Sequence, residues 1–456
     1  MSSGRDATTG STNLRRAAKL CALGTAVGLT DEVVDASKKC LLDWLGVALG
    51  ARDEAAGIAV RATLAGWGAT GNAVQLFGPR TAPALAALAN GTLAHCLDFD
   101  DTHAASVAHL SGPVWAAVLA SAAHPAAGMP SGADLLHGFA IGYEVGAGFG
   151  GRSFGIEVDH AGWHSTGVFG ALAATAGASA VMRLDVDAAA HALGAAATQV
   201  GGLTGSFGTM AKPFHAGKAA FHGVLSAELA AHGFAASQTL LEPDGGLAHA
   251  LLPQVPPMSP AAFSQDCTQV LHNTFKPYAC CLLTHASVDA ARYLSARIAG
   301  RRLARITARV SPLAMRLASI AAPRTPLEGK FSTAFCIALG LLGHAATRED
   351  FTEARLADAT LGDLVARVTL VEDPSMKETA AHLRIDLQDG SILERDVALA
   401  RGNPENPLRW DDLRAKFDAL VGPVLDRSTA NAVVDVVRTF ERPDSLERLW
   451  ALVDSR

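Results

Sequence analysis

The stretch Thr30-Asp31-Glu32-Val33-Val34-Asp35-Ala36-Ser37-Lys38-Lys39-Cys40-Leu41-Leu42-Asp43-Trp44-Leu45-Gly46-Val47 reads as a helix with its own start signal. Thr30 can cap it, and two acids follow in the first turn. Val33, Cys40, Trp44 and Val47 then recur at spacings of seven, four and three, which places them on one face. Toward the N-terminus the pattern stops. Residues 1–12 are rich in Ser, Thr and Gly and read as a disordered tail. Toward the C-terminus, small apolar residues predict buried helices over 81–97, 113–125, 132–145, 166–182, 186–200 and 216–233, with turns such as Gly201-Gly202 between them.

The character changes near residue 268. Residues 305–311 alternate like a strand, as do 365–371, and Leu383–Leu387 and Ile392–Val397 flank the turn signal Asp389-Gly390. Helices are expected over 284–299 and 331–345, and again from Asn403-Pro404-Glu405-Asn406-Pro407 to the end. The fold class is therefore mostly α with a smaller α+β domain. Residues 13–267 form the large helical part, 268–398 the α+β part, and 399–456 a helical tail free to pack back on the first.

Composition narrows the function classes. Of 456 residues, 49% are apolar and 18% charged, enough for a sizeable core. A net charge of −6 without any basic tract makes nucleic acid an unexpected partner. No run has the length and flanks of a membrane span. Arg15-Arg16 before an apolar stretch has the look of a twin-arginine leader, but Lys19 interrupts it and no small-residue cleavage site follows. Seven cysteines, an odd number, fit reduced thiols in the cytoplasm. Only Cys280 and Cys281 are close, and adjacent thiols are poor spacing for zinc or an iron–sulfur cluster.

The chain uses Lys sparingly: nine of its 38 basic residues. Lys212, Lys276 and Lys330 stand among Gly, Pro and aromatic neighbours, where a compact ammonium has a specific use. His95-Cys96-Leu97-Asp98-Phe99-Asp100-Asp101-Thr102-His103, followed by His109, is dense in carboxylates and imidazoles, the pairing that general acid–base chemistry needs. The same groups could ligate a divalent metal, and Asp98-Phe99-Asp100-Asp101 also fits a D-x-D-D acid motif, although a chain that is 6% aromatic supplies little of the cavity such cyclases use. His164, Lys212 and Lys276 each precede a predicted helix start, where free N–H groups favour anions. Their recurrence points to a pocket for a substrate with several carboxylates. Gly146-Ala147-Gly148-Phe149-Gly150-Gly151 satisfies G-x-G-x-x-G only formally, since it follows a helix, and no G-x-S-x-G elbow occurs.

In this order the segments resemble the MmgE/PrpD family. The resemblance runs from Leu41-Leu42-Asp43-Trp44-Leu45-Gly46 through Asp98–His103, the His164 and Lys212 segments, Lys276–His285 and Gly329-Lys330-Phe331-Ser332 to Asn406-Pro407-Leu408. It implies a large all-helical domain built from both chain ends, an α+β lid domain, a homodimer, and a site between the domains that uses no cofactor and no metal. Carried over, the site residues are Asp98, Thr102, His109, His164, Lys212 and Lys276, with Tyr143 of a Gly-Tyr-Glu segment facing the substrate. His103, Cys281 and His285 from the same segments are grouped with the substrate-binding positions. The implied chemistry is dehydration of a 2-methylcitrate-like hydroxy di- or tricarboxylate. His109 or His164 transfers the proton, Asp98 orients an imidazole, and Lys212 and Lys276 hold carboxylates. The alternatives are epimerisation of an iminodisuccinate-like substrate, decarboxylation of a cis-aconitate-like one, and a carboxylate binder without catalysis. Three positions depart from the family pattern. Leu110 follows His109 where a Pro is usual, Cys281 replaces the decarboxylase's His, and Phe335 stands where many members have Tyr. Losing an imidazole and a phenol removes two proton donors, which weighs against decarboxylation.

Overall fold

A computed structural model describes residues 12–151, 154–242, 246–253, 263–298 and 300–454. Most of the expected tail, residues 1–11, lies outside these. Thr12 does not belong to a tail: its side chain accepts from the Arg15 N–H at 3.2 Å and caps the helix Asn13–Leu23.

The chain is mostly α with a smaller α+β part. Helices Asp31–Gly50, Pro83–Cys96, Ser111–Ser121, Gly132–Gly150, Ser165–Val181, Val186–Ala197 and Ala211–Ala231 pack into one core. Thr30 caps the first of these through the Val33 N–H. The Ser165–Val181 helix is buried at every position, so it lacks an amphipathic face. Small residues let these helices approach closely. Gly138, Gly142 and Gly146 form a ridge at a spacing of four that meets Ala173 and Gly177 of the neighbouring helix. The formal G-x-G-x-x-G is thus the end of a helix-packing ridge. Helix Ala211–Ala231 begins five residues earlier than the predicted 216, because Pro213 is tolerated in a first turn whose N–H groups have no intrahelical acceptor.

The α+β part is a four-stranded sheet in the order Val368–Glu372, Leu303–Val310, Ala381–Leu387, Ile392–Val397. The first pair is parallel and the others antiparallel. Gly390, at φ 85°, makes the hairpin turn that Asp389-Gly390 announces. Helices His285–Ile298 and Thr333–Leu341 cover one face, and Ile306, Leu383 and Ile385 fill the layer between. A second, two-stranded ladder pairs Thr102 with Thr274 and His103 with Asn273, tying the carboxylate-rich loop to the start of the α+β part.

Three C-terminal helices, Trp410–Val421, Arg427–Arg438 and Ser445–Val453, return to the helical core, where Phe417 and Leu420 close on Gly46 and Gly50. A buried polar knot reinforces this junction. Lys416 Nζ lies 2.6 Å from Asp43 Oδ1, and Asp43 Oδ2 accepts the Asp101 N–H at 3.1 Å. Among the described residues no helix is long and apolar enough to cross a membrane.

Two tests follow from this packing. A Cβ on Gly217 would sit 2.1 Å from Thr92 Oγ1 and 2.4 Å from the Leu88 carbonyl oxygen, whereas one on Gly66 meets nothing within 4 Å. Gly217→Ala is expected to destabilise by about 1–3 kcal/mol in thermal unfolding, and Gly66→Ala to leave the midpoint unchanged or slightly raised. Burial, and next the Asp43 charge, push the Asp101 carboxyl up to about 8 from 3.8. Between these values the folded chain keeps a proton that the unfolded chain has lost, so stability falls as pH rises through that window. Midpoints recorded from pH 5 to pH 8.5 should decline less steeply in Asp101→Asn, and an unchanged slope would contradict this assignment.

Candidate active site

The Pro83–Cys96 helix ends at Leu97, and the chain then turns sharply through Asp98, which is left-handed at φ 48°. That conformation is costly for a residue with a side chain. Three buried ammonium groups hold it. Lys330 donates to the Leu97 carbonyl at 2.6 Å, Lys276 to the Asp98 carbonyl at 2.5 Å and Lys416 to the Phe99 carbonyl at 2.6 Å. Cations at the carbonyl end of a helix also complement its dipole.

The turn drives the Asp98 carboxylate between two lysines. Lys212 Nζ lies 2.6 Å from Asp98 Oδ1 and Lys276 Nζ 3.2 Å from it. Burial opposes the Asp98 charge, but the Lys212 and Lys276 ammonium groups outweigh it and hold the carboxyl well below its ordinary range. Burial likewise opposes the Lys276 ammonium, and the Asp98 and Asp100 carboxylates more than offset it, raising its pKa.

Two residues on, Asp100 bridges two imidazoles. Both its oxygens lie 2.9 Å from His95 Nδ1, and Oδ2 is 3.2 Å from His109 Nδ1. His95 Nε2 faces Lys212 Nζ at 3.1 Å. A protonated lysine can only donate there, so His95 accepts at Nε2 and carries its proton on Nδ1. Burial, despite Asp100, takes the His95 pKa down to about 3, and the ring stays neutral. The expectation that Asp98 orients an imidazole is therefore corrected: His109 Nε2 is 3.9 Å from Asp98, whose close partners are lysines, and Asp100 is the orienting carboxylate.

His164 precedes the Ser165–Val181 helix and shares a proton with His215, their Nδ1 atoms 3.0 Å apart. Burial, then the Lys212 charge, depress its pKa well below the usual histidine value.

Asp98, Thr102, His109, His164, Lys212 and Cys281 line one cavity of about 290 Å³ between the helical core and the α+β part. Thr102 Oγ1 is 3.3 Å from His109 Nδ1. Burial pushes the Cys281 thiol up to about 12, so it is uncharged. Lys276 is fully buried and acts on the cavity through Asp98.

Four expected residues do not line the cavity: Lys276, expected to hold a substrate carboxylate, spends its ammonium on Asp98 instead, and three others lie behind the wall. Tyr143 is fully buried and donates to Asn273 Oδ1 at 2.8 Å. His103 pairs with Ser106 Oγ at 2.9 Å and meets Tyr143 edge-on. His285 reaches back to the Cys280 carbonyl at 3.2 Å and packs on Tyr278. Each packs behind the site, and His103 Nε2 and His285 Nδ1 are left without a hydrogen-bond partner there among the described residues. His95, Asp100 and His215 are the positions sequence reasoning did not single out. The first two stand in the same polar run, and His215 follows Lys212 at helical spacing, so the signal was present but undivided.

Four of the groups, His95, Asp98, Asp100 and His109, offer donor atoms within 4.8 Å of one another. Asp98 Oδ1 is taken by two ammonium groups and Asp100 by two imidazoles, while Asp98 Oδ2 has no hydrogen-bond partner among the described residues. A cation bound through Asp98 Oδ1 would compete with Lys212 and Lys276 for that oxygen.

The sequence matches the MmgE/PrpD N-terminal domain over residues 15–258 and the MmgE/PrpD C-terminal domain over residues 278–442. A cis-aconitate decarboxylase of Homo sapiens is 28% identical, covering 94% of this chain and 92% of its own length. One of Aspergillus terreus is 26% identical over 93% and 92%. A cis-aconitate decarboxylase-like protein of Aspergillus oryzae is 25% identical over 82% and 83%. With both domains matched across most of its length, the chain belongs to the MmgE/PrpD family.

Proposed function

We propose that this lyase removes a proton next to a carboxylate of a small hydroxy di- or tricarboxylate and expels the hydroxyl as water. The observation that carries the reading is the paired arrangement on the cavity floor: one carboxylate holding Lys212, a second holding the His109 imidazole. A C–H beside a carboxylate becomes acidic only if the negative charge that spreads onto the carboxylate is met. Lys212 has three N–H donors, of which Asp98 and His95 take two, and the third is left for the substrate.

His109 is the base in this scheme. With its Nδ1–H donated to Asp100, its Nε2 lone pair is free, and the positive charge it gains on protonation is balanced by Asp100 at 3.2 Å and Asp98 at 3.9 Å. His164 completes the floor. Its ring, held neutral, hydrogen-bonds the departing hydroxyl without giving up a proton, and the proton that His109 takes from carbon is the one that leaves with the hydroxyl as water. Thr102 and Lys276 position His109 and Asp98 respectively.

A second reading has an observation in its favour, the names of the relatives: loss of carbon dioxide in place of water. It shares the site and the charge-stabilising role of Lys212. The Cys281 thiol, neutral in the cavity wall, offers such a reaction no charge and only a weak donor.

The test is proton NMR of malate, 2-methylcitrate, citrate and cis-aconitate incubated with the protein in deuterium oxide. Deuterium beside a carboxylate is expected, with the product spectrum separating water loss from carbon dioxide release. Lys212→Met and His109→Gln should each slow the exchange by about 10²-fold or more. Exchange that survives His109→Gln would remove His109 from the base role, and exchange in no substrate would sink the proton-abstraction scheme for these acids.

A further inference from the structure

The charges around the cavity are already balanced before any substrate enters. Asp98 and Asp100 are matched by Lys212 and Lys276, and His95 and His164 are held neutral. Among the described residues that line the cavity, Lys212 is the one ammonium or guanidinium, while Asp159 and Glu378 add carboxylates at the wall. Arg316 lies 2.5 Å from Asp159 and is occupied by it. Much of the remaining wall is hydrocarbon, including Ile156, Leu282, Leu283, Leu313, Leu317 and Phe331.

From this we infer that the preferred substrate is a dicarboxylate bearing an alkyl or aryl substituent, not a tricarboxylate. The inference rests on the carboxylate-directed reading above and narrows it. Each carboxylate leaving water needs a counter-charge or a full set of donors, and the described cavity lining offers only Lys212 with the Thr102, Thr379 and imidazole groups, so every added carboxylate is worse served than the one before. A third one would face Leu282 and Leu313, or the Asp159 and Glu378 carboxylates. A hydrocarbon substituent in that place covers apolar wall that a fully polar ligand leaves wet. With the reacting carbon between His109 and Lys212, the substituent extends toward the Leu282–Leu283 turn.

Isothermal calorimetry with malate, 3-butylmalate, 3-benzylmalate, citrate and cis-aconitate tests this directly. The butyl and benzyl compounds are expected to bind about tenfold or more tighter than malate, in line with burial of two or more methylene equivalents. Citrate and cis-aconitate should bind no tighter than malate. Leu282→Arg, at a partly exposed wall position outside the packed cores, should lose the gain from the butyl group and strengthen citrate. Tricarboxylates binding tenfold tighter than 3-butylmalate would overturn the inference, and so would a butyl preference unaffected by Leu282→Arg. Deuterium exchange on the same ligands separates the two levels. Butyl preference without exchange supports the inference and counts against the lyase scheme, whereas exchange with tricarboxylate preference does the reverse.

Discussion

Three ammonium groups on three successive carbonyls hold the rest of this structure in place. The carbonyls of Leu97, Asp98 and Phe99 follow the end of the Pro83–Cys96 helix, and each receives a lysine from elsewhere in the chain. Lys330 and Lys276 come from the α+β segment, and Lys416 from the Trp410–Val421 helix. The left-handed Asp98 is strained, and strain persists only when its surroundings over-determine it. Here the surroundings are contributed by the helical core, the α+β part and the C-terminal helices together. The conformation of the acidic loop thus draws on hydrogen bonds from all three. Lys416 adds a second link, donating to the Lys276 carbonyl at 3.0 Å while facing Asp43. Buried ion pairs of this kind are seldom worth their desolvation for stability alone. Four lysines converging on three residues is the arrangement of a site.

That convergence explains how far the sequence could be read. Sparing use of Lys was visible, and so was the polar run from His95 to His103. Element types were legible where periodicity was strong: the alternation in 305–311 became the inner strand Leu303–Val310, and Asp389-Gly390 became a hairpin. The division of labour within the polar run was not legible. Asp98 and Asp100 are two residues apart, and which one faces lysines and which one faces imidazoles depends on the left-handed turn between helix and loop. No local pattern announces that turn, because no glycine or asparagine marks it. Tyr143, His103 and His285 show the complementary limit. In helices and loops buried on every side, periodicity does not say which face meets the cavity and which meets the core.

The three departures from the family pattern separate once they are placed. Leu110 lies in the core, its Cδ2 close to Gly146 in the helix-packing ridge. Phe335 is buried against Phe351, with ring centroids 5.9 Å apart, so a phenol there would not open onto the cavity as the chain now packs. Only Cys281 changes the cavity itself, and it does so beside Leu282 and Leu283. One turn entering the His285–Ile298 helix thus presents a neutral thiol and two leucines to the substrate.

The two halves of the chain therefore contribute different things to one cavity. The helical core supplies the ionisable groups that line it: Asp98, His109, His164 and Lys212. The α+β part supplies the wall opposite, through Cys281, Leu282, Leu283 and Leu313. Its lysines also reach across to fix the floor without facing the ligand. A change in that wall alters which molecule fits while leaving the Asp100–His109 and Asp98–Lys212 pairs untouched, because none of the four draws a hydrogen bond from the 281–283 turn. Substrate choice can thus shift through a few wall positions without disturbing those pairs, and membership of the family does not by itself settle the substrate.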